Sequence, residues 1–110
     1  MMKYIISESR FSEFIYDYLT KNYYPDYNWG PELHDFYKKD IEKYGFHDFE
    51  INDKRAFAYR GGGINQLLVR KWVADNLNSL FGDVWRPVFV KWFEDNSGLP
   101  VKDLSEWDID

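Results

Sequence analysis

The sequence contains no cysteine, and this absence removes several kinds of chemistry at once. Disulfide bonds, thiolate nucleophiles and cysteine-ligated zinc or iron–sulfur sites all require this residue. We expect a cytoplasmic protein, because cysteine-free chains suit a reducing compartment. Long apolar runs are absent as well: residues 1–6 are too short for the core of a signal peptide, and no stretch approaches the length of a membrane span. We therefore expect no membrane association.

The chain also lacks an excess of basic charge. Lysine and arginine number 14 against 19 aspartates and glutamates, which gives a net charge of −5. Proteins that bind duplex nucleic acid usually carry a basic patch or stripe, so we expect no direct duplex binding. An acidic surface is compatible with a protein partner or with imitation of nucleic acid. The interleaving of basic residues among the acidic ones favours an ordinary mixed-sign surface.

Aromatic residues, by contrast, are abundant: 21% of the chain is Phe, Trp or Tyr, including nine Tyr and five Trp. Each buried ring removes about 150–250 Å² from water, which helps a short chain to build a dense core. Tyr and Trp are also enriched at protein interfaces. The length predicts a single domain over residues 1–110. We expect some of the aromatic rings to be buried in its core and others to belong to an interface.

Apolar spacing and capping residues predict four helices and one hairpin. We expect a first helix after Ser7, a second beginning near Pro31 and ending before Gly45, and strands at Phe46–Ile51 and Arg55–Tyr59. Further along the chain we expect a long helix over Ile64–Phe81, which Gly82 ends. A last helix follows the cap Asp83, carries its apolar face between Val84 and Phe93, and ends at Gly98, while Leu99–Leu104 can add a third strand.

These elements predict a compact α+β domain dominated by about four helices, with a small β-hairpin or short antiparallel sheet. The C-terminal segment 103–110 is acidic and is expected to be a mobile tail. Trp107 and Ile109 interrupt its acidic residues, and such apolar side chains can dock on a partner or on the domain itself.

A glycine run provides the first candidate site. Arg60, Gly61, Gly62, Gly63 and Asn65 lie between a predicted strand and a predicted helix. Backbone N–H groups in such a loop, together with a helix N-terminus, can bind phosphate, and an arginine can add a bidentate contact. The run matches neither the P-loop nor the dinucleotide-binding motif. The alternative interpretation is a simple connection between the hairpin and the long helix.

Catalytic and metal-binding patterns receive little support. The tripeptide His-Asp-Phe occurs at His34 and again at His47, and imidazole with carboxylate can bind divalent cations. One copy falls on a predicted helix and the other on a predicted strand, and no third histidine exists. We expect no metal, no cofactor and no catalytic residue, and the sequence leaves the question of enzymatic activity open.

An aromatic belt is the second candidate site. Tyr16 lies off the apolar face of the first helix, and four more rings, Tyr23, Tyr24, Tyr27 and Trp29, follow in a turn-rich connection. Such rings either bind a partner or cover the core of a small domain. Both interpretations stay open at this point. For an interface we single out Tyr23, Tyr24, Tyr27, Trp29 and Trp107.

Two stretches resemble known proteins. Residues 2–9, MKYIISES, are similar to the start of small accessory proteins of tailed bacteriophages, and residues 80–89, LFGDVWRPVF, with the KWF at 91–93 resemble their C-terminal helices. The resemblance implies a phage protein made in the cytoplasm of a bacterial host. The family has no assigned activity, so no functional residue is carried over.

The leading functional expectation is a non-enzymatic module that binds a host or phage protein, for instance as an inhibitor of host defence or as a minor virion component. Self-association is a further expectation, because both terminal helices carry wide apolar faces. The alternative is a small-ligand binder that recognises a phosphate, a nucleotide or a nucleotide signal at the loop Arg60–Asn65.

Overall fold

The computed structural model describes residues 8–24 and 45–107, with side chains from residue 10 onward. Three α-helices and four β-strands occur in these ranges. In chain order they are α1 (Glu8–Asn22), β1 (Phe46–Ile51), β2 (Lys54–Arg60), β3 (Gln66–Arg70), α2 (Lys71–Phe81), a 3₁₀ turn (Gly82–Val84), α3 (Trp85–Ser97) and β4 (Asp103–Trp107).

The four strands form one mixed sheet in the order β1-β2-β3-β4. The first three strands run antiparallel, and β4 pairs with β3 in parallel. The predicted hairpin is confirmed, with β2 one residue longer at each end than expected. Its turn residues Asn52 and Asp53 have φ angles of 53° and 63°, a left-handed conformation that these two residue types tolerate.

The α+β class is confirmed, but the prediction of a helix-dominated domain with about four helices and a small hairpin is wrong. The main error concerns Ile64–Phe81, which was predicted as one helix. Its first part forms β3, and the helix begins only at Lys71. The sheet is consequently larger than predicted, and it is mixed rather than antiparallel.

The misassigned strand is central in the sheet, and this explains the error. Leu67 and Val69 face the helices and are fully buried, while Arg70 on the opposite face is buried as well. A strand covered on both faces shows a continuous apolar run rather than alternation, and that run resembles one side of a buried helix. Strand β3 ends at Arg70 and helix α2 begins at the next residue, Lys71, without a glycine or proline at the junction. The sequence therefore contains no signal for the change from strand to helix.

Two further predictions concern the helix from Pro31 and the C-terminal segment. The predicted helix from Pro31 lies outside the described residues. The segment 103–110, predicted to be an acidic and mobile tail, begins as strand β4, whose residues pair with Gln66–Arg70. The possible strand at Leu99–Leu104 therefore lies several residues too early, and residues 108–110 are outside the described part.

The core is built from aromatic rings packed between the sheet and the helices. Phe57 on β2 stacks on Phe49 of β1 at a centroid distance of 5.0 Å and meets Phe89 and Phe93 of α3 edge to face. Tyr59 stacks on Phe93 at 5.4 Å. Helices α1 and α2 complete the same cluster with Ile15, Leu19, Val73, Ala74 and Leu77. The aromatic richness of the sequence thus serves the core first.

The other face of the sheet carries a buried cation. Arg70 is 1% exposed, and its guanidinium lies 3.6 Å from the centroid of the Trp107 ring. Its Nη2 donates to Asp48 Oδ1 at 3.4 Å, and Phe46 contacts the Trp107 ring edge to face. These contacts tie β1, β3 and β4 together on the face that does not contribute to the aromatic core.

Candidate partner-binding surface

Exposed apolar side chains occur on α1 and around the end of α2, two elements that meet at the contact between Phe14 and Phe81. Phe14 is 62% exposed, Leu80 51% and Val84 48%. Phe11 and Phe81 are half-buried beside them. We call these five residues the Phe14 patch. Single exposed apolar residues are ordinary on protein surfaces, whereas a cluster of large ones is a frequent sign of an interface.

The ring of Phe81 contacts the aromatic residues of α1. Phe11 and Phe14 each meet it edge to face with centroids 6.1 Å apart, and Tyr18 does so at 5.3 Å. Phe11, Phe14 and Tyr18 follow one another at spacings of three and four residues, so they share one side of α1. The aromatic residues of the patch therefore lie on two helices, α1 and α2, and Val84 lies in the 3₁₀ turn that follows α2.

The chain reverses tightly at the end of α2, between the exposed residues Leu80 and Val84. Gly82 follows the helix with a φ of 66°, and the next residues form the 3₁₀ turn that leads into α3. Gly82 has no neighbouring atoms where a Cβ would project, so the positive φ is the reason for glycine there.

The predicted aromatic belt separates into two groups. Tyr23 is 4% exposed and belongs to the core cluster, where Tyr18 and Trp72 surround its ring. Its hydroxyl accepts a hydrogen bond from Asn76 Nδ2, and burial raises its pKa above 10.0. For Tyr23, covering the core is thus the correct one of the two interpretations. Tyr24 is exposed, while Tyr27 and Trp29 lie outside the described residues.

Tyr16 of the belt and Trp107, the predicted interface residue of the C-terminal segment, are held within the fold. Trp107 lies under the Arg70 guanidinium in β4, with one ring face occupied, and is half-buried. Tyr16 is half-buried at the junction of α1 and α3, and its hydroxyl donates to Asp95 Oδ2 at 3.0 Å. Neither residue adjoins the Phe14 patch in sequence or in the contacts described for Phe81.

The glycine run joins two antiparallel strands rather than a strand and a helix. Arg60 is the exposed last residue of β2, and Gly61–Gly63 lead through a turn to Asn65 and β3. Gly62, Gly63 and Asn65 all have positive φ, at 65°, 94° and 51°. Since α2 begins only at Lys71, the predicted arrangement of strand, glycine loop and helix N-terminus is wrong.

Several polar groups of this loop form hydrogen bonds within the fold. Gly61 N–H donates to the Gly45 carbonyl at 3.2 Å, and Ile64 N–H donates back to the Gly61 carbonyl at 3.3 Å. The side-chain oxygen of Asn65 accepts from the Tyr59 hydroxyl at 3.1 Å. The N–H groups of Gly61 and Ile64 are thus occupied within the chain, and the helix N-terminus that the phosphate hypothesis required does not follow the loop.

The candidate metal ligands do not converge. His47 lies on β1 and meets Phe49 edge to face, while His34 is outside the described residues. Within residues 8–24 and 45–107, no three His, Asp or Glu side chains come together in a way that would hold a metal ion. None of the helices in these ranges is long and apolar enough to cross a bilayer.

The sequence contained a signal for the Phe14 patch that the assignment of a single apolar face overlooked. Five apolar residues between Phe11 and Leu19 cover a wide arc of α1. Ile15 and Leu19 are fully buried, whereas Phe14 lies at the margin of that arc and faces outward. When the apolar face of a helix is wider than the part that packs on the core, the remaining apolar residues indicate an additional surface of this kind.

Comparisons with known proteins return nothing for this chain: no family model matches it, and neither a curated protein nor a solved structure shows a significant match.

Proposed function

We propose that the protein is a non-enzymatic interaction module that binds a protein partner through the Phe14 patch. The observation that carries the proposal is the 62% exposure of Phe14, whose ring packs edge to face on Phe81, together with the exposure of Leu80 and Val84, which lie one residue before and three residues after Phe81 in the chain. Leaving them in water forgoes about 25 cal/mol for each Å² of apolar surface that a partner can cover. An apolar partner surface therefore gains free energy by docking there.

The geometry of the patch favours a specific contact. Phe11 and Phe14 each pack on Phe81 before any partner arrives, and all three lie on helices. Such preorganisation lowers the entropic cost of binding, because few side chains need to be ordered on contact. Aromatic anchors at the centre of an interface often contribute most of its binding energy. We assign that central role to Phe14.

The biological setting of the proposal rests on sequence alone. The stretches MKYIISES and LFGDVWRPVF resemble accessory proteins of tailed phages. We therefore propose that the partner is a host or phage protein in a bacterial cytoplasm. Leu80, Phe81 and Val84 belong to the second of these stretches, so the resemblance and the exposed patch share residues.

A capture experiment with matched surface variants tests the proposal. The tagged protein, a Phe14→Ser/Leu80→Ser variant and an Ile64→Ser variant are incubated with a bacterial lysate. Ile64 is 53% exposed in the turn between β2 and β3, so its variant removes exposed apolar surface elsewhere. We expect a protein that is retained by the wild type and by Ile64→Ser but not by the double variant, and that binds the purified wild type directly. Equal retention by all three proteins would contradict the proposal.

A further inference from the structure

A groove of about 570 Å³ lies between α1 and α3. Tyr16, Pro87 and Val88 are among the residues that line it. Tyr16 follows Phe14 by two residues, which corresponds to about 200° around a helix of 3.6 residues per turn. The groove thus opens on the side of α1 away from the Phe14 patch, and it is a separate surface.

Acidic side chains border this groove. Glu13 and Asp17 contribute from α1 and Asp95 from α3, against the single lysine Lys91. Asp95 is engaged within the fold: its Oδ2 accepts from Tyr16 Oη at 3.0 Å and from Lys91 Nζ at 3.1 Å. With Lys91 and Asp95 compensating each other, the groove retains the negative charge of Glu13 and Asp17.

The pair Glu13 and Asp17 is the unusual feature of this border. They lie four residues apart on α1, so their like charges repel across one helical turn. Neither forms an ion pair or a hydrogen bond to another described side chain. A cation placed between them removes this repulsion, whereas an anion or a neutral group does not.

We infer that the groove binds an arginine- or lysine-bearing segment of a partner protein. The aliphatic stem of such a side chain can lie along apolar surface while its charged end reaches carboxylates, and Tyr16, an aromatic residue of the type that guanidinium groups contact, lines the groove. The volume falls in the range of pockets that enclose a ligand of several functional groups. It therefore suits neighbouring side chains of one segment better than a small free cation, which has no apolar part to cover Pro87 and Val88.

The inference does not rest on the Phe14 patch, and a direct binding measurement tests it. The probe is a short fluorescein-labelled helical peptide with arginines three and four residues apart and leucines between them, compared with the same peptide carrying glutamine for arginine. Fluorescence anisotropy with the intact protein gives the Kd, and amide chemical shifts locate the site. We expect saturable binding of the arginine peptide only, with shifts centred on Tyr16 and Val88.

Charge variants show whether the groove itself is responsible. Glu13→Gln/Asp17→Asn removes the two groove carboxylates, and Asp53→Asn/Asp75→Asn removes the same charge from the hairpin turn and α2. We expect the first variant to weaken binding by about tenfold, equivalent to about 1.4 kcal/mol, and the second to leave the Kd unchanged. Equal weakening by both variants overturns the inference, as does the absence of saturable binding below about 1 mM. Competition by spermidine as effective as that by the unlabelled peptide overturns the assignment to a protein segment.

Discussion

The ring of Phe14 meets the ring of Phe81 edge to face, with centroids 6.1 Å apart and planes at 88°, while 62% of Phe14 remains exposed. The contact joins α1 to the last residue of α2. The Phe14 ring is therefore held in place by Phe81 while most of its surface remains exposed. A partner could cover such a side chain without having to order it first. We expect such a residue to contribute little to the stability of the fold.

The first prediction separates binding rings from core rings. Phe57→Ala should lower the free energy of unfolding by about 3–5 kcal/mol, because it leaves a cavity beneath Phe49, Phe89 and Phe93. Phe14→Ala should lower it by less than about 1 kcal/mol. Urea unfolding followed by tryptophan fluorescence measures both. A large loss with Phe14→Ala would make this ring part of the core.

The second prediction concerns alkaline pH. Burial raises the pKa of Tyr23 above 10.0, so its folded form keeps the proton longer than the unfolded chain does. The stabilisation it provides is complete below about pH 10 and is lost as the pH rises through the folded-state pKa. Tyr23→Phe should make the alkaline loss of stability shallower. At neutral pH it should cost about 1 kcal/mol, because the Asn76 amide loses an acceptor.

Urea unfolding between pH 8 and about pH 11 measures the Tyr23 effect. Burial also raises the pKa of Tyr59, so part of the decline should persist in Tyr23→Phe. Tyr24→Phe is the control, because Tyr24 is exposed on the adjoining position. An unchanged alkaline slope in Tyr23→Phe would show that Tyr23 does not contribute to it.

The third prediction tests the contact of Arg70 with Trp107. Trp107→Leu removes the ring face beneath a guanidinium that is almost fully buried, and we expect a loss of about 1–2 kcal/mol in unfolding free energy. Trp107→Phe keeps an aromatic face and should lose less. Equal losses in the two variants would mean that packing of β4, rather than the cation–π contact, accounts for the effect.

The fourth prediction concerns the glycine loop. Because Gly61 and Ile64 donate their N–H groups to carbonyls of the chain, phosphate and nucleotides should produce no shift in Tm that depends on Arg60. A thermal-shift series with the wild type and Arg60→Ala measures this. A ligand at 100 times its Kd stabilises a protein by about 2.7 kcal/mol, so binding would be visible. A shift that Arg60→Ala abolishes would restore the phosphate hypothesis.

The local parts of this fold were predictable from sequence. The hairpin follows from aromatic and β-branched residues around Asn52 and Asp53, and both residues take the positive φ that the turn needs. The last helix was also predicted, and Gly98 ends it in the left-handed conformation with a φ of 75°. In these places the deciding interactions lie within a few residues of one another.

The long-range parts were not predictable in the same way. Strand β3 is paired on both sides: β2 precedes it directly in the chain, whereas β4 follows only after two helices. Its apolar residues fit a helix equally well until those partners are known. The roles of aromatic residues depended on the same information: Tyr23 and Phe14 both occupy α1 or its end, but only the position of α2 decides that one is buried and the other exposed.

The most direct test of the central claim is photo-cross-linking from position 14. The photoreactive residue p-benzoylphenylalanine replaces Phe14 in one protein and Ile64 in another, and both are irradiated in a bacterial lysate. Our account predicts a discrete covalent adduct from position 14 that position 64 does not give; an adduct with a second copy of the chain would identify a homo-oligomer as the complex. The absence of any adduct from position 14, or the same adducts from both positions, would contradict the assignment of the Phe14 patch as a protein-binding surface.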